Sequence, residues 1–431
     1  MTGPSEPLPR TANGARASLV LAMLLLVYVF NFLDRMLLSI LAAPIQADLG
    51  LSDGQMGLLG GLAFAALYST LAVPLAALAD RTGRSRVIAL SLGVWSAFTA
   101  LCGIATGFWQ LFAARLGVGI GEAGGVAPSY AVIGEWFAPR QRATALAIYS
   151  LGIPLGSAFG LLAGGYIAEA VNWRVAFVAI GLAGLAFAPV FRLFVRDRPG
   201  RLEGAQQTAS PTLSETFNRL ARKPSFWLLS FGAAAGSSIG YGISFWLPSF
   251  VQRSFGLGLF DTALFLSAII LIGGTAGMLA GGRLADRLGQ GDRAWYGWLP
   301  AIAYAASVPL WTAGVSSGSL VLAFILLLVP QGLSYVWLGP VLTAVQNLVE
   351  PPARATASAL FLLINNLIGL AAGIYALGAL SDALAPAYGA ESLRMAILWA
   401  LGLYLLAAVL MALAAPKLRQ DWVGEGERPA R

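Results

Sequence analysis

Histidine is absent from this 431-residue sequence, cysteine occurs once, and charged residues make up only 11% of the chain. Without histidine, any proton chemistry must depend on carboxylates. The single cysteine, Cys102, excludes an internal disulfide, and we expect it to be a small buried residue. Soluble domains are about 25% charged, because a surface that faces water needs charge. With 58% hydrophobic residues, the chain is therefore not a soluble globular protein, and much of its surface must face lipid.

Apolar runs of the length that a membrane-spanning helix needs, about 20 residues, recur twelve times. We number them as spans 1 to 12 and place them at residues 18–43, 56–79, 87–105, 108–133, 143–167, 175–194, 226–250, 260–282, 295–313, 320–345, 355–380 and 393–415. The first run is too long for a cleavable signal and is expected to remain as an anchor.

The spans fall into two sets of six on either side of a polar segment. The pattern predicts a cytoplasmic tail at residues 1–17, a six-helix bundle at 18–195, a linker at 196–225, a second bundle at 226–415 and a cytoplasmic tail at 416–431. A short surface helix is expected in the linker at Leu213–Ala221. The predicted fold class is an all-α membrane protein with two six-helix bundles.

The distribution of arginine and lysine predicts the orientation. If the N-terminus is inside, 22 of the 27 basic residues lie in the inner segments, and the outer loops hold only Arg174, Arg253 and Arg394. Since inner loops of membrane proteins are enriched in positive charge, both termini are expected in the cytoplasm. Bacterial-type composition places the protein, as an expectation, in an inner membrane.

The two halves repeat short motifs. Residues 78–83 (LADRTG) match 284–289 (LADRLG), and residues 142–145 (RATA) match 354–357. The two matches have nearly the same offset along the chain, which indicates a duplication. Such repeats commonly enclose a substrate site near the membrane midplane.

The repeated loops are predicted to form a cytoplasmic gate. A carboxylate at a helix end can pair with arginines across the loop, and a glycine permits the tight reversal between helices. We expect the contacts to form when the cytoplasmic side is closed and to break when it opens; the alternative is a charged loop that only fixes topology. The gate residues are Asp80, Arg81, Gly83, Arg84, Asp286, Arg287, Gly289, Arg142 and Arg354.

Four charges lie deep inside predicted spans, where each costs several kcal/mol and indicates function. They are Asp34 and Arg35 in span 1 and Arg115 and Glu122 in span 4. At about 1.5 Å per residue, Asp34 lies about 14 Å from the outer end of its helix, between Arg115 at about 10 Å and Glu122 at about 20 Å. We expect a buried network of zero net charge, with Asp34 and Glu122 in proton coupling and Arg35 and Arg115 as anion or charge partners. The alternative is a static salt bridge.

The motifs resemble those of the major facilitator superfamily. Residues 76–84 match its loop signature, with Ala76 in place of the usual glycine, and span 4 carries its basic motif at Leu111, Arg115 and Gly119. Within the superfamily, residues 31–35 (NFLDR) and 119–124 (GIGEAG) look like those of the spinster lipid carriers. The resemblance implies a major facilitator fold, alternating access, function as a monomer and an amphiphilic cargo with an anionic head. Similar elements occur in bacterial carriers of sugar acids and drugs.

Polar and aromatic residues complete the predicted substrate site. Adjacent amides within a span need partners, and an aromatic wall facing the charged one suits a cargo with an apolar tail. These residues are Asn31, Asn365, Asn366, Tyr241, Trp246 and Trp337.

The predicted function is secondary transport driven by a proton gradient, with an amphiphilic or lipid-like cargo. The alternative cargo is a small organic anion, such as a sugar acid, or a drug. A receptor or scaffold would have no use for the charge network. The sequence carries no nucleotide-binding, metal-binding or nucleophile motif, so we expect no enzyme activity, cofactor, metal or nucleic-acid partner.

Overall fold

The computed structural model describes residues 14–197 and 213–423. The described residues form helices and no strand. Residues 1–13 of the predicted N-terminal tail, residues 198–212 of the predicted linker and residues 424–431 of the predicted C-terminal tail lie outside them. The spans comprise Gly14–Ile40 with Ala42–Leu49 (span 1), Asp53–Gly60 with Leu62–Thr82 (2), Arg84–Cys102 (3), Phe108–Glu122 with Val126–Trp136 (4), Pro139–Ser150 with Gly152–Ala170 (5), Trp173–Phe194 (6), Pro224–Phe255 (7), Leu259–Ile269, Ile270–Gly274 and Thr275–Gly289 (8), Trp295–Val315 (9), Leu320–Leu333 with Leu338–Gln346 (10), Arg354–Ile364, Asn365–Ala372 and Gly373–Tyr388 (11), and Ser392–Ala400 with Gly402–Asp421 (12).

These helices confirm the predicted all-helical membrane fold. Among the described residues, nine helical segments are long and apolar enough to cross a membrane, and one of them, Thr356–Asp421, contains both span 11 and span 12. Spans 7 and 9, which are 32 and 21 residues long, complete the twelve.

Several helices extend beyond their apolar runs. The helical chain of span 1 continues to Leu49 and span 7 continues to Phe255, because each ends only where a glycine adopts the left-handed conformation. These glycines, Gly50 and Gly256, have φ of 65° and 67°. Their offset along the chain equals that of the first pair of repeated motifs, so the duplication is visible in the backbone as well as in the sequence.

The two halves form separate bundles that meet along a few helices. In the first half, span 1 packs on span 5 and span 3 packs on spans 4 and 6; in the second, span 12 packs on spans 7 and 9. Between the halves, span 2 meets span 11, span 5 meets span 8, and span 1 meets span 7.

Because each half contains an even number of spans, the chain enters and leaves on one side, which we call the terminal face. There, Arg16 lies over the Trp136 ring at the end of span 4, and the Val423 N–H donates to the Asn347 carbonyl over 2.8 Å. The other side, which carries the glycine-capped ends of spans 1 and 7, is the opposite face.

The linker ends in the expected surface helix, Leu213–Ala221. Its Leu220 is buried, and Arg219 forms an ion pair of 3.3 Å with Glu350. Immediately afterwards, the Lys223 ammonium donates to the Asp421 carbonyl over 2.6 Å. The described part of the linker is thus attached to the second half at the terminal face.

Spans 4 and 10, which occupy equivalent places in the two halves, are both interrupted within the membrane. Span 4 breaks at residues 123–125, directly after Glu122, and span 10 breaks at residues 334–337. Spans 8 and 11 instead contain π-helical turns, at Ile270–Gly274 and Asn365–Ala372. Such turns are often found at functional sites, and the second of them contains both predicted amides, Asn365 and Asn366.

Candidate functional site

Two ion pairs connect spans 1 and 4 inside the first half. Arg115 Nη1 lies 3.0 Å from Asp34 Oδ2, and both side chains are buried. Arg35 Nη2 lies 2.9 Å from Glu122 Oε2, and its Nε also donates to that oxygen over 3.0 Å. Glu122 is fully buried, whereas Arg35 keeps 11% of its side chain exposed. The structure therefore brings the four predicted charges together as two pairs of zero net charge.

Glycines allow span 4, which carries Arg115 and Glu122, to pack closely against spans 2 and 3. A Cβ at Gly119 would collide with the Phe64 carbonyl of span 2, and a Cβ at Gly121 would collide with the backbone of Trp95 in span 3. Arg115 and Glu122, seven residues apart, point from one face of this closely packed helix.

Thr99 of span 3 is a member of the site that the sequence did not reveal. Its hydroxyl lies 2.5 Å from Asp34 Oδ1 and 2.9 Å from the Trp95 carbonyl. A hydroxyl has one proton and can also accept, so Thr99 can donate to an ionised Asp34. It can equally accept from a protonated Asp34 while donating to the carbonyl. A lone threonine in an apolar span gives no signal of this role.

Aromatic rings surround the Arg35 guanidinium. Its Cζ lies 5.1 Å from the centre of the Phe32 ring, 4.7 Å from that of Phe64 and 4.8 Å from that of Tyr68. Phe64 also lies 5.4 Å from Arg115 Cζ. Cation–π attraction favours this arrangement, and it leaves an apolar surface beside a cation.

Three buried polar atoms of the site have no hydrogen-bond partner among the described residues. They are Glu122 Oε1, Arg115 Nε and Asn31 Oδ1. Asn31 lies three and four residues before the paired Asp34 and Arg35, on the same side of span 1. Because an unpaired buried polar atom is costly, Glu122 Oε1 and Asn31 Oδ1 are available to accept a hydrogen bond, and Arg115 Nε is available to donate one, to a water molecule or the polar head of a substrate.

The second half contributes the other predicted site residues with different degrees of burial. Tyr241 is partly buried and close enough to interact electrostatically with Arg35. Asn365 is buried and accepts from Ser237 over 2.9 Å, whereas Asn366 is partly buried.

The two predicted tryptophans lie in the core of the second half. Trp246 is fully buried, and its indole N–H donates to the Ile374 carbonyl over 3.0 Å. Trp337 is largely buried and packs edge-on against Phe361, with ring centres 6.4 Å apart. Both therefore serve packing in this conformation. Among the described residues, no three Asp, Glu, His or Cys side chains cluster in a way that could hold a metal ion.

The first gate loop is tied to its own half. Arg84 lies 2.6 Å from Asp80 and 2.5 Å from Glu135 at the end of span 4, and Asp80 remains 58% exposed. Gly83 has φ of 114°, a conformation that favours glycine. Glu135 was not foreseen, although it stands one residue before the end of its helix.

The second gate loop differs in its turn. Gly289 is the last residue of span 8 and does not adopt positive φ. A tight reversal was expected here, and that expectation was wrong because the chain turns later, at residues 290–294. Gly289 instead makes room for the ring of Tyr296, which a Cβ would overlap. Asp286 and Arg287 are exposed, as is Arg81 in the first loop.

The two remaining gate arginines bind the chain close to them. Arg142 Nε donates to the Phe137 carbonyl over 3.0 Å. Arg354 Nη2 donates to Asn347 Oδ1 over 3.1 Å.

A polar cluster at the opposite face connects the two halves and was not predicted. Asp53, at the start of span 2, accepts from both terminal nitrogens of Arg253 of span 7, over 2.8 and 2.6 Å. It also accepts from Gln46 and from Ser381 of span 11, each over 2.7 Å.

Asp382 of span 11 completes this opposite-face cluster. Its carboxylate accepts from the backbone N–H groups of Asp53 over 3.0 Å and of Gly54 over 2.7 Å. It therefore caps the N-terminus of a helix that belongs to the other half, where a negative charge is favoured.

Further hydrogen bonds between the halves support the closure. Ser39 donates to the Phe245 carbonyl over 2.7 Å, and Ser267 donates to the Ala158 carbonyl over 3.1 Å. Glu169 accepts from the Phe260 N–H over 2.8 Å. The halves are thus held together at and near the opposite face.

Comparisons with known proteins agree with this geometry. The Major Facilitator Superfamily profile matches residues 24–374. An "MFS-type efflux pump" of Mycolicibacterium smegmatis is 35% identical over 95% of this chain and 95% of its own length. A "Hexuronate transporter" of Bacillus subtilis is 31% identical over 62% of this chain and 64% of its own length. The crystal structure of a bacterial homologue of the human lysosomal transporter spinster, inward-facing and unoccupied, aligns with a TM-score of 0.85 and 28% identity, covering 96% of this chain and all of that one.

Proposed function

Because the chain belongs to the major facilitator superfamily of membrane transporters, we propose that it is a proton-coupled carrier of an amphiphilic molecule with an anionic head. The observation that carries this proposal is that two buried ion pairs, Arg35–Glu122 and Arg115–Asp34, connect spans 1 and 4. Charges this deep in a bundle are costly, and their usual uses are ion and proton pathways or substrate binding.

Protonation changes the balance of this network. With all four groups ionised its net charge is zero; one proton on Glu122 leaves a net charge of +1 and removes the counter-charge of Arg35. The unpaired Oε1 of Glu122 is the atom that can take the proton without first breaking a hydrogen bond. Arg35, which is partly exposed and bordered by aromatic rings, can then bind the anionic head of a cargo.

Thr99 supports a second proton position at Asp34. Its two contacts allow the same hydroxyl to serve the ionised and the protonated carboxyl without leaving a proton unpaired. A static salt bridge would need only one of these arrangements.

We place the terminal face in the cytoplasm. In this orientation the inner segments hold 22 of the 27 basic residues. The three outer arginines, Arg174, Arg253 and Arg394, are each paired with an acid, so they add little positive charge to that side. With the opposite face closed, the conformation is inward-facing, and the mechanism is alternating access between the two halves. The membrane is proposed to be a bacterial inner membrane.

Transport assays with proteoliposomes would test the coupling. The carrier is reconstituted with a pH gradient, and the entry of a fluorescent lysophospholipid and of protons is followed together. Asp34→Asn and Glu122→Gln are expected to abolish gradient-driven uptake. Each substitution is also expected to lower the free energy of unfolding by up to about 5 kcal/mol, because it leaves a buried arginine without its counter-charge.

Glu391→Gln provides the matched control, since Glu391 is an exposed carboxylate at the opposite face whose ion pair with Arg394 lies within the second half. It should transport as the wild type does. Full gradient-driven uptake by both Asp34→Asn and Glu122→Gln would refute the coupling proposal.

The cargo class has one specific competitor. The similarity to a hexuronate carrier over 62% of the chain favours a small organic anion, which Arg35 could also bind. The aromatic rings around Arg35 and the similarity to a spinster homologue favour an amphiphile.

Thermal unfolding in detergent would separate the two cargo classes. We expect a lysophospholipid to raise the melting temperature more than glucuronate does, since ligand binding stabilises the folded state. Arg35→Ala should remove the increase. A larger shift with glucuronate would favour the small-anion alternative.

A further inference from the structure

A groove lies on the outer surface of the first half, between spans 3 and 6, and none of the four paired charges lines it. It has a volume of about 650 Å³ and opens to the surroundings of the protein. Its floor and walls are apolar, and its end at the terminal face is bordered by Arg86 and Arg192. Leu90 on its wall is 69% exposed, so this surface faces lipid.

Small residues create the groove. Gly93 lies at its floor, where an added Cβ would stand 3.8 Å from the Ala188 Cβ and 3.9 Å from Leu185. Larger side chains at these positions would fill the space between the two helices. The residues that line span 3 recur at every third or fourth position from Arg86 to Ala97, which is one helix face.

The length of the groove corresponds to one leaflet. From Arg86 to Ala97 the helix rises about 16 Å at about 1.5 Å per residue, and half of the hydrocarbon core is about 15 Å. Arg86 stands two residues after the start of span 3, and Arg192 two residues before the end of span 6. Both arginines are therefore at headgroup level.

The charge around the groove has one sign. No acidic residue lines it, and within residues 14–197 and 213–423 neither Arg86 nor Arg192 forms an ion pair. The nearby carboxylate of Asp197 is already bound by the Ser85 N–H and hydroxyl, each over 2.8 Å. A second groove, of about 430 Å³, lies between the start of span 1 and the end of span 6 at the terminal face and is lined by Arg16 and Arg196.

We propose that the groove binds an anionic phospholipid of the leaflet at the terminal face. The phosphate lies between Arg86 and Arg192, and one acyl chain runs along the face of span 3 past Gly93 towards Ala97. Arginine suits a phosphate because its guanidinium offers several donors in a fixed plane, and basic pockets at one membrane surface are typical sites for acidic headgroups. A lipid without net charge would leave these cations without a counter-charge.

Native mass spectrometry of the purified full-length protein would test the proposal with two lipids, phosphatidylglycerol and phosphatidylcholine. The wild type should bind one phosphatidylglycerol more tightly than any phosphatidylcholine. Arg86→Ala/Arg192→Ala should weaken that binding at least about tenfold and leave phosphatidylcholine unchanged. Gly93→Leu keeps the charges but fills the floor, and it too should weaken the tightest site.

Arg283→Ala/Lys417→Ala is the matched control, since it removes the same charge from exposed positions of the terminal face outside the groove. It should bind phosphatidylglycerol as the wild type does. If both double variants lost the same amount of phosphatidylglycerol binding, the effect would come from the overall surface charge, and the proposed site would be overturned. Unchanged binding in Gly93→Leu would overturn the acyl-chain part. A dimer that forms through this face and excludes lipid would also overturn the proposal.

Discussion

Removing Arg253 should open the opposite face without disturbing the paired charges. Asp53 is 8% exposed and Arg253 is 31% exposed. Exposed ion pairs contribute about 0–1 kcal/mol, whereas breaking a buried pair costs about 3–5 kcal/mol. This half-buried, two-nitrogen contact lies between those limits, at about 2 kcal/mol. Because the pair joins the two halves, nearly all of that loss should fall on the closed arrangement, which corresponds to a change of about 30-fold in the closed-to-open ratio.

Distances between spin labels would measure this change. Ala47→Cys at the end of span 1 and Ala387→Cys at the end of span 11 place exposed labels on the two halves. The native Cys102 is fully buried and should not react. In the wild type we expect one short distance, and in Arg253→Ala an additional population at longer distance.

Arg174→Ala is the appropriate control. Arg174 also forms an ion pair of 2.6 Å at the opposite face, but its partner, Asp48, belongs to the same half. Its removal should leave the distance distribution unchanged. If Arg253→Ala gave the same distribution as Arg174→Ala, the opposite-face cluster would not hold the halves together, and the reasoning would be wrong.

Two further predictions concern packing and pH. Gly119→Val should lower the melting temperature by several degrees because its side chain would collide with the Phe64 carbonyl, whereas Gly134→Ala, with no atom within 4 Å of an added Cβ, should not. At the terminal face, hydrogen bonds from Arg419 and the Ala294 N–H lower the pKa of Asp292 to about 2. The stabilisation from this pair is therefore present above pH about 4 and is lost only as the pH falls towards 2. Asp292→Asn should leave the pH profile of transport between pH 5 and 8 unchanged, and a shifted profile would contradict this.

The spans and the composition of the charge network could be predicted because they depend on local properties. Hydropathy places helices along the chain, and the constant rise of an α-helix gives the depth of each charge. The pairing could not be predicted. Asp34 and Arg35 are neighbours and point in directions about 100° apart on the helix, so the partner of each depends on how span 1 is rotated against span 4. Span 1 packs closely on Gly156 and Gly160 of span 5, while span 4 packs closely on spans 2 and 3 at Gly119 and Gly121. The relative rotation of spans 1 and 4 is therefore a tertiary property.

The opposite-face cluster was missed for a related reason. Arg253 is one of only three basic residues in the outer loops of the sequence. The small number of basic residues there indicates the orientation of the chain, but it does not indicate the partner of Arg253. Its partner Asp53 lies 200 residues away in the chain. The capping carboxylate of Asp382 lies 329 residues from the Asp53 N–H that it accepts from. Contacts between residues so far apart in the chain leave no local signal in the sequence.

Span 1 links the paired charges to the closure of the opposite face. Arg35, whose partner is Glu122, and Ser39, which binds the Phe245 carbonyl of span 7, are four residues apart and lie on one side of the helix. A proton on Glu122 would remove the counter-charge of Arg35. Arg35 lies one helical turn from Ser39, whose contact with the Phe245 carbonyl joins the halves. Span 2 adds a second connection, because Phe64 contacts both arginines while Gly60, one turn earlier, packs against the Phe245 ring. A rotation of span 1 or span 2 that follows protonation would therefore act directly on the residues that hold this face closed. Coupling between the two sites would not need a longer chain of contacts through the protein.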